Sequence, residues 1–286
     1  LGAVPKNACS LFPERHLGLV PAAEHQTAAA AVAGNIAVAL RHLDIDGLAA
    51  VARSAPPLVR IAAADHGRPA PVARIGIIRD RAFTFYYSEN IEALAAAGAE
   101  TIYIDSLADP ALPAVDGLYI GGGFPEIFAA AIAANAGLKR DIARAAAEGL
   151  PIYAECGGLM YLGRTIAWEG KKYPMCGVLP LDVGVEKTPQ GHGYTLMRSL
   201  AGNPFFSPGS EIKGHEFHHS RLTRADGDLR YTYEVVRGHG IDGRRDGIAH
   251  KNTFAAYNHI HAAANPGWAP RFVAMAAAWR RGRTTG

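Results

Sequence analysis

Cysteine is scarce in this 286-residue chain, and its three copies (Cys9, Cys156, Cys176) exclude two architectures. Three widely spaced cysteines cannot close a disulfide framework, and their spacing matches no metal-binding pattern. A reducing cytoplasm is the expected compartment. Long apolar runs are also missing: Ala28–Ala33 and Ile127–Ala134 fall far short of the ~20 residues that span a bilayer. No basic-then-apolar leader opens the sequence. Neither charge sign dominates, with 29 Lys and Arg against 26 Asp and Glu and no basic block. Nucleic acid and membrane are therefore not expected partners. No G-x-x-x-x-G-K-[ST] occurs, which excludes a phosphate loop within these residues. Aromatics are sparse at 8%, so much of the burial must come from Leu, Ile and Val among small residues.

What remains is ordinary for a soluble globular protein of one or two domains, 49% hydrophobic and 19% charged. The chain opens on Leu1 and reads there as mid-protein sequence, the expectation for a fragment or processed piece. Residues 1–66 read as the tail of one unit, with a loop-rich Pro5–Glu24 and helices over Gln26–Leu43 and Ile45–Ala52. Residues 67–73, which open Gly67-Arg68-Pro69-Ala70-Pro71-Val72, read as a linker. From residue 74 to the end the pattern alternates. Strands are predicted at Ala73–Ile78, Glu100–Ile104, Gly117–Ile120 and Leu150–Ala154, and helices at Ser88–Ala97, Pro125–Ala134 and Leu138–Glu148. This predicts an α/β fold, a three-layer sandwich with a mostly parallel central sheet. Beyond Lys171 shorter strands suggest an antiparallel extension, closed by a helix near Arg271–Arg280.

Two strand ends carry unusual chemistry, and parallel sheets place their sites at such ends. In Ala154-Glu155-Cys156-Gly157-Gly158 a strand turns abruptly into a helix, with small residues two before and two after the cysteine. A nucleophile on that kind of turn points at a helix N-terminus, which favours its anion. A buried cysteine that merely packs is the competing reading, and the motif alone does not separate the two. Gly121-Gly122-Gly123-Phe124-Pro125-Glu126 places three glycines after a strand, where bare backbone N–H groups can approach an oxyanion. Taken alone, a flexible turn ahead of a helix explains it better.

A cysteine nucleophile needs a base, and two of the histidine clusters could supply one. They are Gly214-His215-Glu216-Phe217-His218-His219-Ser220 and Tyr257-Asn258-His259-Ile260-His261. Strand alternation would put His259 and His261 on one face. No cysteine or carboxylate clearly completes a ligand set, so no metal is expected. His192 and His239 read as exposed loop histidines.

Together these segments resemble the glutamine amidotransferase domain of the cobyrinic acid a,c-diamide synthase family of cobalamin biosynthesis. Arg79-Asp80-Arg81-Ala82-Phe83-Thr84-Phe85-Tyr86-Tyr87 is similar to its opening signature, and Gly121–Glu126 and Ala154–Gly158 to its oxyanion loop and cysteine elbow. Gly214–Ser220 resembles its G-H-E-F-H-x-S segment. Ala256–His261 resembles S-Y-x-H-x-H, with Ala in place of the first Ser. Leu1–Pro5 and Phe12–Leu19 are similar to the end of the family's ATP-dependent, dethiobiotin synthetase-like domain, whose P-loop would lie upstream.

The resemblance implies that Cys156 attacks glutamine, that His259 activates it, and that Gly122 or Gly123 with Gly157 holds the oxyanion. Ammonia would pass to the missing synthetase domain, which would need ATP and Mg2+, whereas this chain itself would need no cofactor. The implied acceptor is a corrinoid, cobyrinic or hydrogenobyrinic acid, amidated on its a and c acetates, and a homodimer is open to such a protein. Many amidotransferases of this class carry Glu two residues after the histidine, where this chain has His261. The third member of the triad is therefore unassigned. Glu216 is a candidate for orienting the base or for the glutamine site, His261 is another orienting candidate, and Glu155 reads as structural. The alternatives are a nickel-sirohydrochlorin a,c-diamide synthase, a cobyric acid synthase, a catalytically silent regulatory domain and a cysteine peptidase. The intact Cys156, His259 and triglycine argue against the silent domain.

Overall fold

The computed structural model describes residues 1–5, 14–15, 18–19, 28–58 and 69–284, and the chain divides into two compact units, Leu1–Gly67 and Arg68–Gly286. In the first unit β1 (Glu14–Arg15) pairs antiparallel with β2 (Gly18–Leu19). Helices α1 (Ala28–His42) and α2 (Ile45–Ser54) follow. Asp44 separates them, and its carboxylate accepts the Gly47 N–H at 2.8 Å as the N-cap of α2. Helix α2 buries no residue, and Ala31 and Val38 of α1 are the buried hydrophobic residues among those described in this unit. Cys9 and half of the Phe12–Leu19 segment lie outside the described residues.

The second unit begins with β3 (Ala73–Ile78), α3 (Ser88–Ala96), β4 (Ala99–Ile104) and β5 (Gly117–Ile120). It continues through α4 (Ala129–Ala134), α5 (Ala136–Glu148), β6 (Ile152–Glu155) and α6 (Gly157–Leu162). Two short strands, β7 (Thr165–Trp168) and β8 (Lys171–Pro174), precede β9 (Leu181–Val185), β10 (Gly191–Ser199) and β11 (Glu211–His218). After β12 (Ser220–Ala225) come β13 (Tyr231–Arg237), β14 (Arg245–His250), β15 (Thr253–Ala256) and β16 (His259–Ile260), and then the closing helix α7 (Trp268–Thr284).

The main sheet runs β16-β11-β10-β13-β14-β15-β6-β5-β3-β4. Its β15-β6-β5-β3-β4 half is parallel and the other pairings are antiparallel. The α/β class therefore stands, with a parallel block extended by an antiparallel one of similar size. A second sheet has the order β12-β9-β7-β8.

Strands β5, β6 and β15 are buried at every residue and β3 at every residue but Arg74, as central parallel strands covered on both faces are, whereas the edge strand β4 is partly exposed. Ile75, Ile77, Tyr119 and Tyr153 pack with Phe272, Val273 and Ala276 of α7. Ile78, Leu118, Ile120, Ile152 and Ala154 pack on the opposite side with Ile132, Leu138, Ile142 and Leu159. Each fully buried Ile or Leu stabilises the fold by roughly 1.5–3 kcal/mol.

Several predicted boundaries shift by a few residues, and two of the shifts have a clear local cause. The helix expected from Pro125 begins at Ala129, because the Phe124 N–H donates to Ala82 O (2.9 Å) and the Ile127 N–H to Phe124 O (3.1 Å), which holds this stretch in a turn. The linker expected to reach residue 73 ends earlier: Val72 N–H already bonds Gly98 O at 2.9 Å, and Ala73 is the first residue of β3.

Candidate functional site

Strand β6 is buried along its whole length and delivers Cys156 to the head of α6. Cys156 has φ 49° and ψ −100°, a conformation that costs a non-glycine residue about 1–3 kcal/mol. Bonds on both sides hold it there: its N–H donates to Ala256 O at 2.7 Å, and its carbonyl accepts the Met160 N–H at 3.1 Å. The neighbours must be small. A Cβ on Gly158 would fall 2.4 Å from Ile120 O, and one on Gly157 would fall 3.1 Å from the Gly123 nitrogen. The elbow read from the sequence is therefore a strained, close-packed turn that brings the ends of β5 and β6 together.

His259 comes from β16, about one hundred residues downstream, and its position depends on a carboxylate that gave no signal in the sequence. Buried Asp246 accepts the N–H groups of Gly247 (2.8 Å), Tyr257 (3.1 Å) and Asn258 (3.0 Å), which fixes the segment just before the histidine. Burial pushes the Asp246 carboxyl up to about 6 despite those bonds. The backbone of His259 then pairs with His215 on β11, and the two rings stack 4.9 Å apart.

The imidazole of His259 is buried, and the Cys156 side chain acts on it. Its Nδ1 lies 3.5 Å from Oε2 of Glu155. Burial alone would depress the imidazole's proton affinity, but bonds to Cys156 and Glu155 and their negative charges reverse the effect, so the net shift is upward. Cysteine, imidazole and carboxylate therefore form one buried cluster, with residues 155 and 156 adjacent in the chain.

The triglycine loop faces the same cluster. A Cβ on Gly122 would fall 2.5 Å from His259 Cε1, and one on Gly123 would fall 2.1 Å from Ala82 O. The Arg79–Tyr87 segment braces this loop. Phe85 N–H donates to Gly122 O at 3.0 Å, Gly121 N–H donates to the Tyr86 hydroxyl at 2.8 Å, and that hydroxyl donates to Ile78 O. The Gly157 N–H heads α6, where first-turn donors lack intrahelical acceptors. A cavity of about 300 Å³ opens on His259 and Glu155, walled by Phe85, Tyr86, Tyr87, His215 and Phe217.

Cys156, His259, Gly122, Gly123 and Gly157 are thus brought together, while Glu216 and His261 are not. Glu216 is buried on β11, and its carboxylate accepts the N–H groups of His239 and Gly240 (2.8 Å to Gly240) beside His218 Nε2 at 3.7 Å. It is occupied by a loop rather than by His259. His261 sits past the end of β16: its Nδ1 accepts the Ala263 N–H at 3.1 Å and its Nε2 is 3.7 Å from Glu89. Alternation therefore does not carry His261 to the base. The residue read as structural, Glu155, is the one beside His259. His192 lies exposed on strand β10 rather than in a loop, its ring 4.9 Å from that of Phe217.

Among the described residues no group of three or more His, Cys, Asp or Glu side chains could hold a metal ion. No described helix is long and apolar enough to cross a membrane.

Residues 74–267 match the CobB/CobQ-like glutamine amidotransferase domain. Cobyrinate a,c-diamide synthase of Magnetococcus marinus is 42% identical over 279 residues, covering 94% of this chain and 59% of that protein. The Archaeoglobus fulgidus protein of the same name is 40% identical over 277 residues, covering 96% of this chain and 60% of its own. The chain thus spans about 60% of the length of these curated relatives. Among solved structures, PurLQS from Thermotoga maritima superposes with a TM-score of 0.53 at 18% identity, covering 73% of this chain and 98% of that one. Another, titled a glutamine amidotransferase, gives 0.52 at 16% identity, covering 71% and 98%. These two share the fold.

Proposed function

The chain belongs to the CobB/CobQ-like glutamine amidotransferase family, and from that premise we propose that it is the glutaminase half of a cobyrinate a,c-diamide synthase. The observation that carries the reading is the pairing of Cys156, on its strained elbow, with buried His259 at the glycine-lined end of the parallel sheet. The relatives' names support the choice of acceptor, a corrinoid bearing a and c acetate carboxylates.

In this mechanism His259 takes the proton of Cys156, and Sγ attacks the side-chain carbonyl carbon of glutamine. The oxyanion sits against N–H groups of Gly122 or Gly123 and Gly157. As the C–N bond breaks, the imidazolium returns its proton to the departing nitrogen, leaving a γ-glutamyl thioester. Water then adds to the thioester, His259 accepts its proton, and glutamate leaves with regeneration of the thiol. The strained elbow keeps Sγ in place through both steps, so little reorganisation is needed at the moment of attack.

Ammonia made here would be consumed by an ATP-dependent synthetase domain that uses Mg2+. The described residues hold no cluster fit for a metal, and the sequence has no phosphate loop. The test uses the full-length synthase. Cys156→Ser should abolish amidation with glutamine while amidation with free ammonia continues. Glutamine-dependent amidation that persists in Cys156→Ser contradicts the assignment.

A further inference from the structure

Resting on Cys156 and His259 as the reacting pair, we propose that Glu155 is the residue that positions His259, backed by Tyr119 and Asn90. It would replace the acid that many amidotransferases carry two residues after the histidine. Here that slot is His261, which is turned to Glu89 and Ala263. Glu216, the other acid near the histidines in sequence, is engaged by the backbone of residues 239 and 240.

Glu155 is 2% exposed, and its partners are all neutral unless His259 is protonated. Oε1 accepts the N–H of Ile260 at 3.0 Å, the residue next to the base. Oε2 accepts the Tyr119 hydroxyl at 3.1 Å and faces His259 Nδ1 at 3.5 Å. A buried carboxylate held by a phenol and one amide N–H gains most from an imidazolium beside it. The contact is long for a hydrogen bond, as catalytic contacts often are before substrate binds.

The layer behind Glu155 gives the chain a direction. Burial raises the Tyr119 phenol well above its usual range, so it stays protonated and donates. Asn90, fully buried, donates from Nδ2 to the Tyr119 oxygen at 3.3 Å and to Ile260 O at 2.9 Å. Its Oδ1 accepts the Ala262 N–H at 2.7 Å. Asn90 therefore clamps the backbone on both sides of His261, while Glu155 clamps Ile260 and faces the ring of His259. This fixes the tautomer with the proton on Nδ1 and leaves Nε2 for the thiol.

The experiment is steady-state glutamine turnover by the full-length synthase against pH, for Glu155→Gln, Glu155→Asp and Tyr119→Phe beside Cys156→Ser. Glu155→Gln should lower kcat by about 10–100-fold, no more than the low end of what a proton-transferring group itself contributes, and leave KM for glutamine nearly unchanged. Because the lost carboxylate had favoured imidazolium, the alkaline limb should move to lower pH. Glu155→Asp keeps the charge and should restore that limb towards the parent position. A purely structural role predicts no such movement. A wild-type kcat and pH profile for Glu155→Gln overturns the proposal.

If Glu155→Gln does not fold, Tyr119→Phe carries the test. It leaves the carboxylate but removes a donor to it, so kcat should fall several-fold while the limb moves to higher pH. An unchanged kcat and profile there overturns the proposal as well. The control separates the two levels. Turnover that survives in Cys156→Ser defeats the proposed function itself, whereas loss there with normal Glu155→Gln defeats only the positioning role.

Discussion

His259 Nδ1 and Glu155 Oε2 lie 3.5 Å apart, although the two residues are separated by more than one hundred positions in the chain. Parallel pairing of β15 with β6 sets this distance. Ala256 lies opposite Glu155, and three residues later the chain has turned back over the cysteine elbow. The imidazole is then enclosed by Cys156, Glu155, His215 and the bare backbone of Gly122. Each of these contacts carries its own consequence.

The closest approach is at Gly122, where an added methyl would stand 2.5 Å from His259 Cε1. Gly122→Ala should therefore move the imidazole and lower glutamine turnover by on the order of 100-fold, the scale of a misplaced catalytic group. The fold should persist, since the loop is also held through the Gly121 N–H and Phe124 N–H bonds. Kinetics with circular dichroism on the same sample checks this, and near-normal turnover would show that the close approach is not needed.

Asp246 predicts a pH-dependent stability. Its carboxyl is pushed from 3.8 up to about 6, so between those values the folded state holds a proton that the unfolded chain releases. The wild type should lose stability as pH rises through that window, by on the order of 2–3 kcal/mol from this group alone. Asp246→Asn should lack this slope and, with a backbone N–H left without an acceptor, should be less stable, most clearly near pH 4. Urea denaturation of both proteins at pH 4 and pH 7 measures it. Parallel changes in the two would refute the linkage.

The two histidines of Asn258–His261 should separate clearly. His259→Ala removes the base and should abolish glutamine turnover. His261→Ala removes a partly exposed ring lying 4.7 Å from Tyr87 and should cost less than about tenfold, as a surface contact does. Equal and complete loss in both would reverse the ranking.

Cys176 should be chemically idle. It is buried, and burial pushes its thiol up to about 12 although Tyr161 and Lys139 oppose the shift. Cys176→Ala should keep glutamine turnover within a few-fold of the parent, with only a modest stability loss from the missing side chain. Loss of turnover without loss of the folded state would assign Cys176 a role that its surroundings do not suggest.

Much of the parallel half was legible because buried strands announce themselves. Ala73–Ile78 and Gly117–Ile120 are short apolar runs bounded by turn residues, and both strands have those limits. The cysteine elbow was legible for a related reason: its flanking small residues are demanded by local backbone contacts. Glu155 was not, because its role lies in which neighbouring strand its side chain reaches, and β16 arrives there only through tertiary folding. Glu216 misled in the opposite way. A carboxylate among histidines suggests a triad, but the fold gives it to the backbone of His239 and Gly240. Asp246 stayed hidden because its partners are backbone N–H groups, which any sequence supplies.

Covalent trapping tests most directly whether Cys156 forms a bond to the glutamine side chain. Full-length synthase treated with 6-diazo-5-oxo-L-norleucine, a glutamine-shaped electrophile, should acquire one adduct that maps to Cys156 by peptide mass spectrometry. Excess glutamine should protect against it, and Cys156→Ser should remain unlabelled. An adduct on Cys176, or undiminished glutamine turnover by an enzyme fully labelled at Cys156, would contradict the account.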